Sequence, residues 1–159
     1  MIRGAAAKPS PAVVVMTTFT LLLFVGLVIA TWLHPRTPIV IIGTVLGAIA
    51  LGCYLRSPVA YEITPGNQLT IRLRLGSHVF GPVRQCVILD GPVSFGLRLW
   101  GNGGLFAVTG IFWNGSFGKF RAYVTNLRKL VLVEAQDGGK IIISPDNTQE
   151  WSHEAQATR

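Results

Sequence analysis

The order of apolar and polar positions divides this chain into two parts of unlike texture. Ala12–Leu33 and Pro38–Leu55 contain no charged side chain, whereas from Arg56 onward apolar residues alternate with polar ones or run in short blocks between turn signals. At about 1.5 Å per residue the first stretch makes a helix of about 33 Å, enough for a hydrocarbon core of about 30 Å. Ile39–Leu55 gives about 26 Å, the short limit for a span. Pro38 suits a first helical turn there, and Tyr54 with Arg56 suits a headgroup boundary. Joined by residues 34–37, the two stretches predict an antiparallel transmembrane hairpin. The length of the first, and the second span so soon after it, argue for an uncleaved anchor rather than a signal peptide.

After Arg56 the pattern is all-β. Ala60–Thr64 is a short strand before the turn Pro65, Gly66, Asn67. Leu69–Leu75 alternates, with Leu69, Ile71, Leu73 and Leu75 on one face and Thr70, Arg72 and Arg74 on the other. Val83–Leu89 ends at Asp90, Gly91, Pro92, and Phe95–Trp100 reads either as a strand or as a compact connection. Asn102–Gly104 predicts a tight turn into Leu105–Trp113, and Asn114–Gly115 a two-residue hairpin returning through Phe117–Val124. Leu130–Ala135 and Lys140–Ser144 flank a further hairpin turn. Ser144 or Asp146 then caps a short helix carrying Trp151, and Glu154–Arg159 is expected to fray. The fold class is therefore a helical hairpin followed by a mainly-β, partly open barrel of seven or eight strands with one C-terminal capping helix. A five-stranded OB-like barrel is the alternative, and the terminal helix argues against it.

Charge changes this picture only in its orientation. The chain carries 14 Lys and Arg against 7 Asp and Glu, a balance that at first points to nucleic acid. Arg3, Lys8, Arg36 and Arg56 flank the apolar stretches without any acidic neighbour, which leaves the remainder near neutral, so no nucleic-acid partner is expected. Arg3, Lys8, Arg56, Arg72 and Arg74 lie on the side of the main domain, against Arg36 alone in the loop. Positively charged residues are retained in the cytoplasm. The expected organisation is a cytoplasmic tail (1–11), a first span (12–33), an outer loop (34–37), a second span (38–55) and a cytoplasmic domain (56–159), in a cell membrane with both termini inside. Small residues at Gly26, Ala30, Gly43, Gly47, Ala48 and Gly52 recur four apart and are expected to pack the helices.

Candidate chemistry is sparse. His34, His78 and His153 fall in separate regions, Cys53 and Cys86 cannot meet, and no carboxylate pair or nucleophile–base constellation is present. No catalytic residue, metal site or cofactor is expected, and the chain is not read as an enzyme.

The segment from Arg98 to Asn126, RLWGNGGLFAVTGIFWNGSFGKFRAYVTN, followed by LVLVEAQDGGKIIISPDNTQEW from Leu130 to Trp151, resembles the bacterial pleckstrin-homology-like (PH-like) domains that follow a pair of membrane helices. That resemblance implies two nearly orthogonal sheets and a C-terminal helix whose aromatic, Trp151, packs against the barrel. It fixes a shape more than an activity. The functional expectation is a membrane-anchored binding or scaffold module taking a protein or peptide partner, or a second copy of itself, with membrane lipids around its spans. The alternative is a sensor of anionic lipid or envelope that uses Arg72, Arg74, Lys119 and Arg121 as a basic face. Convergence of those four side chains on one patch favours the second, and scatter beside an exposed apolar surface favours the first.

Overall fold

The structure is a computed structural model that describes residues 2–33, 37–89 and 93–151. The predicted outer loop at 34–36, the strand stop at Asp90–Pro92 and the tail after Trp151 lie outside these residues.

Two apolar helices, α1 (Pro11–Leu33) and α2 (Thr37–Leu55), lie inside a β-fold rather than ahead of it. The chain opens with β1 (Ile2–Ala5), which pairs antiparallel with β2 (Pro58–Ile63) in the register Ile2↔Ile63 to Ala5↔Ala60. Residues 1–11 read as a tail because four residues, IRGA, are too short for alternation to show and stand beside Lys8 and Pro9. Their partner strand lies beyond both helices.

The other strands are β3 (Gln68–Leu73), β4 (Ser77–Leu89), β5 (Leu97–Gly103), β6 (Val108–Asn114), β7 (Gly118–Val124), β8 (Leu130–Ala135) and β9 (Lys140–Ile143). They form one open sheet in the order β1-β2-β3-β4-β8-β9-β7-β6-β5. β4 is the corner. Its first half, Ser77–Pro82, pairs with β3 and its second half, Val83–Leu89, pairs with β8. Pro82, which has no N–H to give, stands where the partner changes.

β8 and β9 read as unbroken apolar runs because both of their faces are covered. Val131, Val133, Ile141 and Ile143 join a core with Tyr61, Leu69, Ile71 and Trp151. Leu130, Leu132 and Ile142 join a second core with Phe112, Phe120 and Val124.

Four local expectations are corrected. Leu75 is exposed, because β3 ends at Leu73 and the chain there follows the exit of α2, where Leu75 N–H bonds the Leu55 carbonyl at 3.0 Å. The turn at Asn102–Gly104 moves onward: Asn102 and Gly103 stay in β5 opposite Thr109 and Val108. The Asn102 side chain holds the shifted loop, donating to the carbonyls of Leu105 and Ala107 and accepting from Leu105 N–H at 3.1 Å. The β6–β7 hairpin closes with Asn114↔Gly118, leaving three residues between them and Gly118 at φ 68°. Finally, the terminal helix starts at residue 148, so neither Ser144 nor Asp146 caps it. Ser144 is buried instead, and its hydroxyl accepts from the N–H groups of Thr125 (2.8 Å) and Asn126 (3.2 Å).

Candidate functional site

The four candidate basic residues do not share one surface. Arg72 reaches the buried carboxylate of Glu62 at 3.2 Å, and Arg3 approaches the same oxygen at 3.7 Å. A carboxylate already answers that cation. The Arg74 guanidinium lies over the Tyr54 ring at 4.3 Å while its Nε donates to Ser57 Oγ at 3.1 Å. Lys119 and Arg121, two apart on β7, line a groove with Phe80 and Asp137, and Arg121 sits 5.4 Å from the Phe80 ring centre. Lys119 and Arg121 are therefore brought together, and Arg72 and Arg74 lie elsewhere, each engaged.

Among the small helix residues, Gly43 lies against Leu27 and Gly47 against the ring of Phe24, where an added Cβ would stand 3.4 and 3.1 Å from the nearest atoms. These contacts belong to a seam on α1 whose less exposed positions, Val13, Thr17, Thr20, Phe24 and Leu27, alternate steps of four and three. Gly26 and Gly52 face open space, Ala48 is exposed and Ala30 half-buried.

Helices and sheet are joined at the β5–β6 loop. Phe106 N–H donates to Thr17 Oγ1 at 2.9 Å, and its ring meets Tyr54 edge-on at 5.3 Å. At the opposite end of the sheet Trp151 is buried, edge-on to Tyr61 at 6.3 Å, and closes over Gly4 of β1, where a Cβ would lie 3.1 Å from the indole nitrogen. Burial also pushes the Tyr61 phenol and the Cys86 thiol upward, the latter to about 12, leaving that sulfur a neutral core atom.

The most exposed apolar side chains of the sheet include Leu97 and Trp100 on β5, at 63 % and 73 % of their free surface, with Leu99 between them. β5 is an end strand that, among the described residues, pairs with β6 alone, so its outer N–H and C=O groups are bonded to no other described strand. Gly101 and Gly110 face each other in register at φ 112° and 143°, and a Cβ on either would come within 2.2 Å of the other strand's carbonyl oxygen. Only glycine lets the two strands lie this close.

Residues 83–157 match the family model of the bacterial PH domain. The match begins at the second half of β4 and runs through the terminal helix, the part of the sheet that contains β5 and both faces of β8 and β9. No curated protein and no solved structure matches the chain.

PH-like domains are generally binding modules, which directs attention to surfaces rather than to reactive groups. The apolar face of β5 escaped the sequence reading because LRLW followed by glycines fits a strand or a connection equally well. Arg98 on β5 and Arg56 after α2 also carry more than was expected of them, since both line the same cleft as Arg121. Nothing local announces that grouping across 65 residues of chain.

Of the two apolar helices, α1 alone is long and apolar enough among the described residues to cross a membrane by length and composition, over Pro11–Ala30. The described apolar run of α2, Val40–Leu55, is shorter.

Proposed function

We propose that this protein is a non-catalytic, membrane-anchored PH-like module that binds a protein or peptide segment, or a second copy of itself, along β5. The observation that carries the reading is the β5 edge: a strand paired on one side alone among the described residues, displaying Leu97, Leu99 and Trp100, while Arg72, Arg74, Lys119 and Arg121 do not converge on one patch. An extended segment added there gains main-chain hydrogen bonds and covers those side chains. The basic-face alternative loses support because Arg72 and Arg74 are already engaged.

The pairing of β1 with β2 supports two spans rather than one. If α1 crosses, the sheet still holds the residues before α1 and those after α2 side by side, so α2 must bring the chain back. The 19 residues of α2 make about 28 Å of helix, a short but workable return. With Arg3, Lys8 and Arg56 on the sheet side, that side is cytoplasmic. Reporter fusions after Arg159 test the orientation: activity confined to the outside overturns it.

The binding surface is tested by placing a photo-crosslinker at Leu97 in the full-length protein within its native membrane. A protein adduct, or a dimer of this chain, is expected there and not from the same probe at Arg128 on the exposed β7–β8 connection. Identical products from both positions, or none from Leu97, overturn the β5 assignment.

A further inference from the structure

A cleft of about 850 Å³ lies where the end of α2 meets the sheet, within the range of about 300–1,000 Å³ that ligand sites occupy. Its helix wall consists of Ile49, Gly52, Cys53 and Arg56, which fall at i, i+3, i+4 and i+7 and so form one stripe. Its sheet wall follows from the register. Trp100, Ile111 and Arg121 lie side by side across β5, β6 and β7, and Asn102, Thr109 and Tyr123 form the next row of the same face. Arg98 adds a third guanidinium.

The charge of this cleft is unbalanced. Among the described residues no carboxylate lines it, and none of Arg56, Arg98 and Arg121 is in an ion pair. Arg3, Arg72 and Lys129, by contrast, each have an acidic partner. Three cations gathered without a counter-charge repel one another and favour an anion between them. Planar guanidinium groups suit phosphate oxygens in particular.

The remaining lining decides which anion. Ile49, Trp100 and Ile111 are apolar, Ile49 is 55 % exposed, and the helix it belongs to continues as bare apolar surface through Leu46 and Val45. Free phosphate has no use for such a wall. A glycerophospholipid has, because its chains can follow α2 while its phosphate meets the arginines, with Trp100 at the boundary where indole rings collect. The space beside Gly52 is open: a Cβ there would meet no atom within 4 Å.

From this we infer that the cleft between α2 and β5–β7 holds the phosphate of an anionic membrane lipid on Arg56, Arg98 and Arg121. The inference rests on the membrane reading above; the site shares Trp100 with the β5 edge but includes neither Leu97 nor Leu99.

Native mass spectrometry of the full-length protein in nonionic detergent, with phosphatidylglycerol, phosphatidylcholine or inorganic phosphate added, tests it. Phosphatidylglycerol should be retained over phosphatidylcholine. Each of Arg56→Gln, Arg98→Gln and Arg121→Gln should weaken retention about fivefold, and the three together about a hundredfold. Gly52→Leu, which alters no charge and fills open space, should weaken it as well, while Arg128→Gln should leave it unchanged. Equal retention of the two lipids, indifference to the triple change, or displacement by an equal concentration of inorganic phosphate overturns the site. Alkaline carbonate extraction of native membranes separates the two readings. Protein that stays in the membrane yet retains no phosphatidylglycerol sinks the lipid site alone, whereas protein that is released sinks the membrane reading too.

Discussion

The two end strands of the sheet are finished in opposite ways. β1 has four residues and is covered: Ala7 N–H bonds the Ser144 carbonyl at 2.8 Å, Asp146 N–H bonds the Ala5 carbonyl at 3.0 Å, and Trp151 lies over Gly4. β5 has seven residues, six of them exposed, with large apolar side chains outward. An open edge invites pairing with another chain, and proteins usually blunt it. This one blunts the edge that completes its own core and leaves the other available. Covering therefore serves stability at β1, and under the proposed function exposure serves recognition at β5.

The contrast can be broken most severely at the covered end. Trp151→Ala should destabilise the folded protein by about 3–5 kcal/mol, since it removes the largest fully buried side chain of the first core. Thermal unfolding followed in detergent reads this directly, and a midpoint within a degree or so of wild type would show that the terminal helix is dispensable. Gly4→Val should cost about 1–3 kcal/mol by forcing the indole off β1. The loss should be smaller in a Trp151→Ala background, where the ring no longer stands in the way.

Alkaline pH sharpens the comparison. Burial raises the pKa values of Cys86, Tyr61 and Tyr123 above their ordinary 9.0 and 10.0, and the nearby guanidinium groups of Arg121 and Arg56 oppose the rise at Tyr123 only in part. These groups keep their protons in the folded chain at a pH where the unfolded chain has lost them. Their stabilising effect is complete below about pH 9 and is lost as pH climbs toward 12. Because Tyr61 and Cys86 belong to the first core and Tyr123 packs against it, hydrogen exchange should show the β1 side loosening before the β5–β6 pair, which carries none of the three. Uniform loosening would contradict that order. The smallest effect belongs to the open end. Leu99→Lys should change stability by no more than about 0.5 kcal/mol while removing partner crosslinking from the probe at Leu97.

How much of this was legible in the sequence depends on whether a residue's partners are near it in the chain. β8 over Leu130–Ala135 follows directly from its apolar run, and β9 is short of the expected Lys140–Ser144 by one residue, because burial on both faces leaves a continuous signal. The apolar helices show for the same reason. β1 does not, since its warrant is a strand separated from it by 52 intervening residues. The place of the Asn102 loop is not legible, because Asn and Gly signal a turn without saying on which side of the Asn the chain bends. Of the cationic residues, Lys119 and Arg121 share a face by simple alternation, whereas the cleft's arginines come from a helix end and two strands that only the folded sheet brings together.

The return of the chain to its own first strand also bears on biosynthesis. β1 leaves the ribosome before either helix and can find β2 only after both have been placed. Under the two-span reading, a chain that inserted α1 but failed to bring α2 back would strand Ile2–Ala5 on the wrong side of the bilayer, with Gly4 absent from beneath Trp151 and Glu62 without Arg3. On that reading, completion of the sheet depends on correct insertion, and a mis-threaded copy would carry an unfinished core.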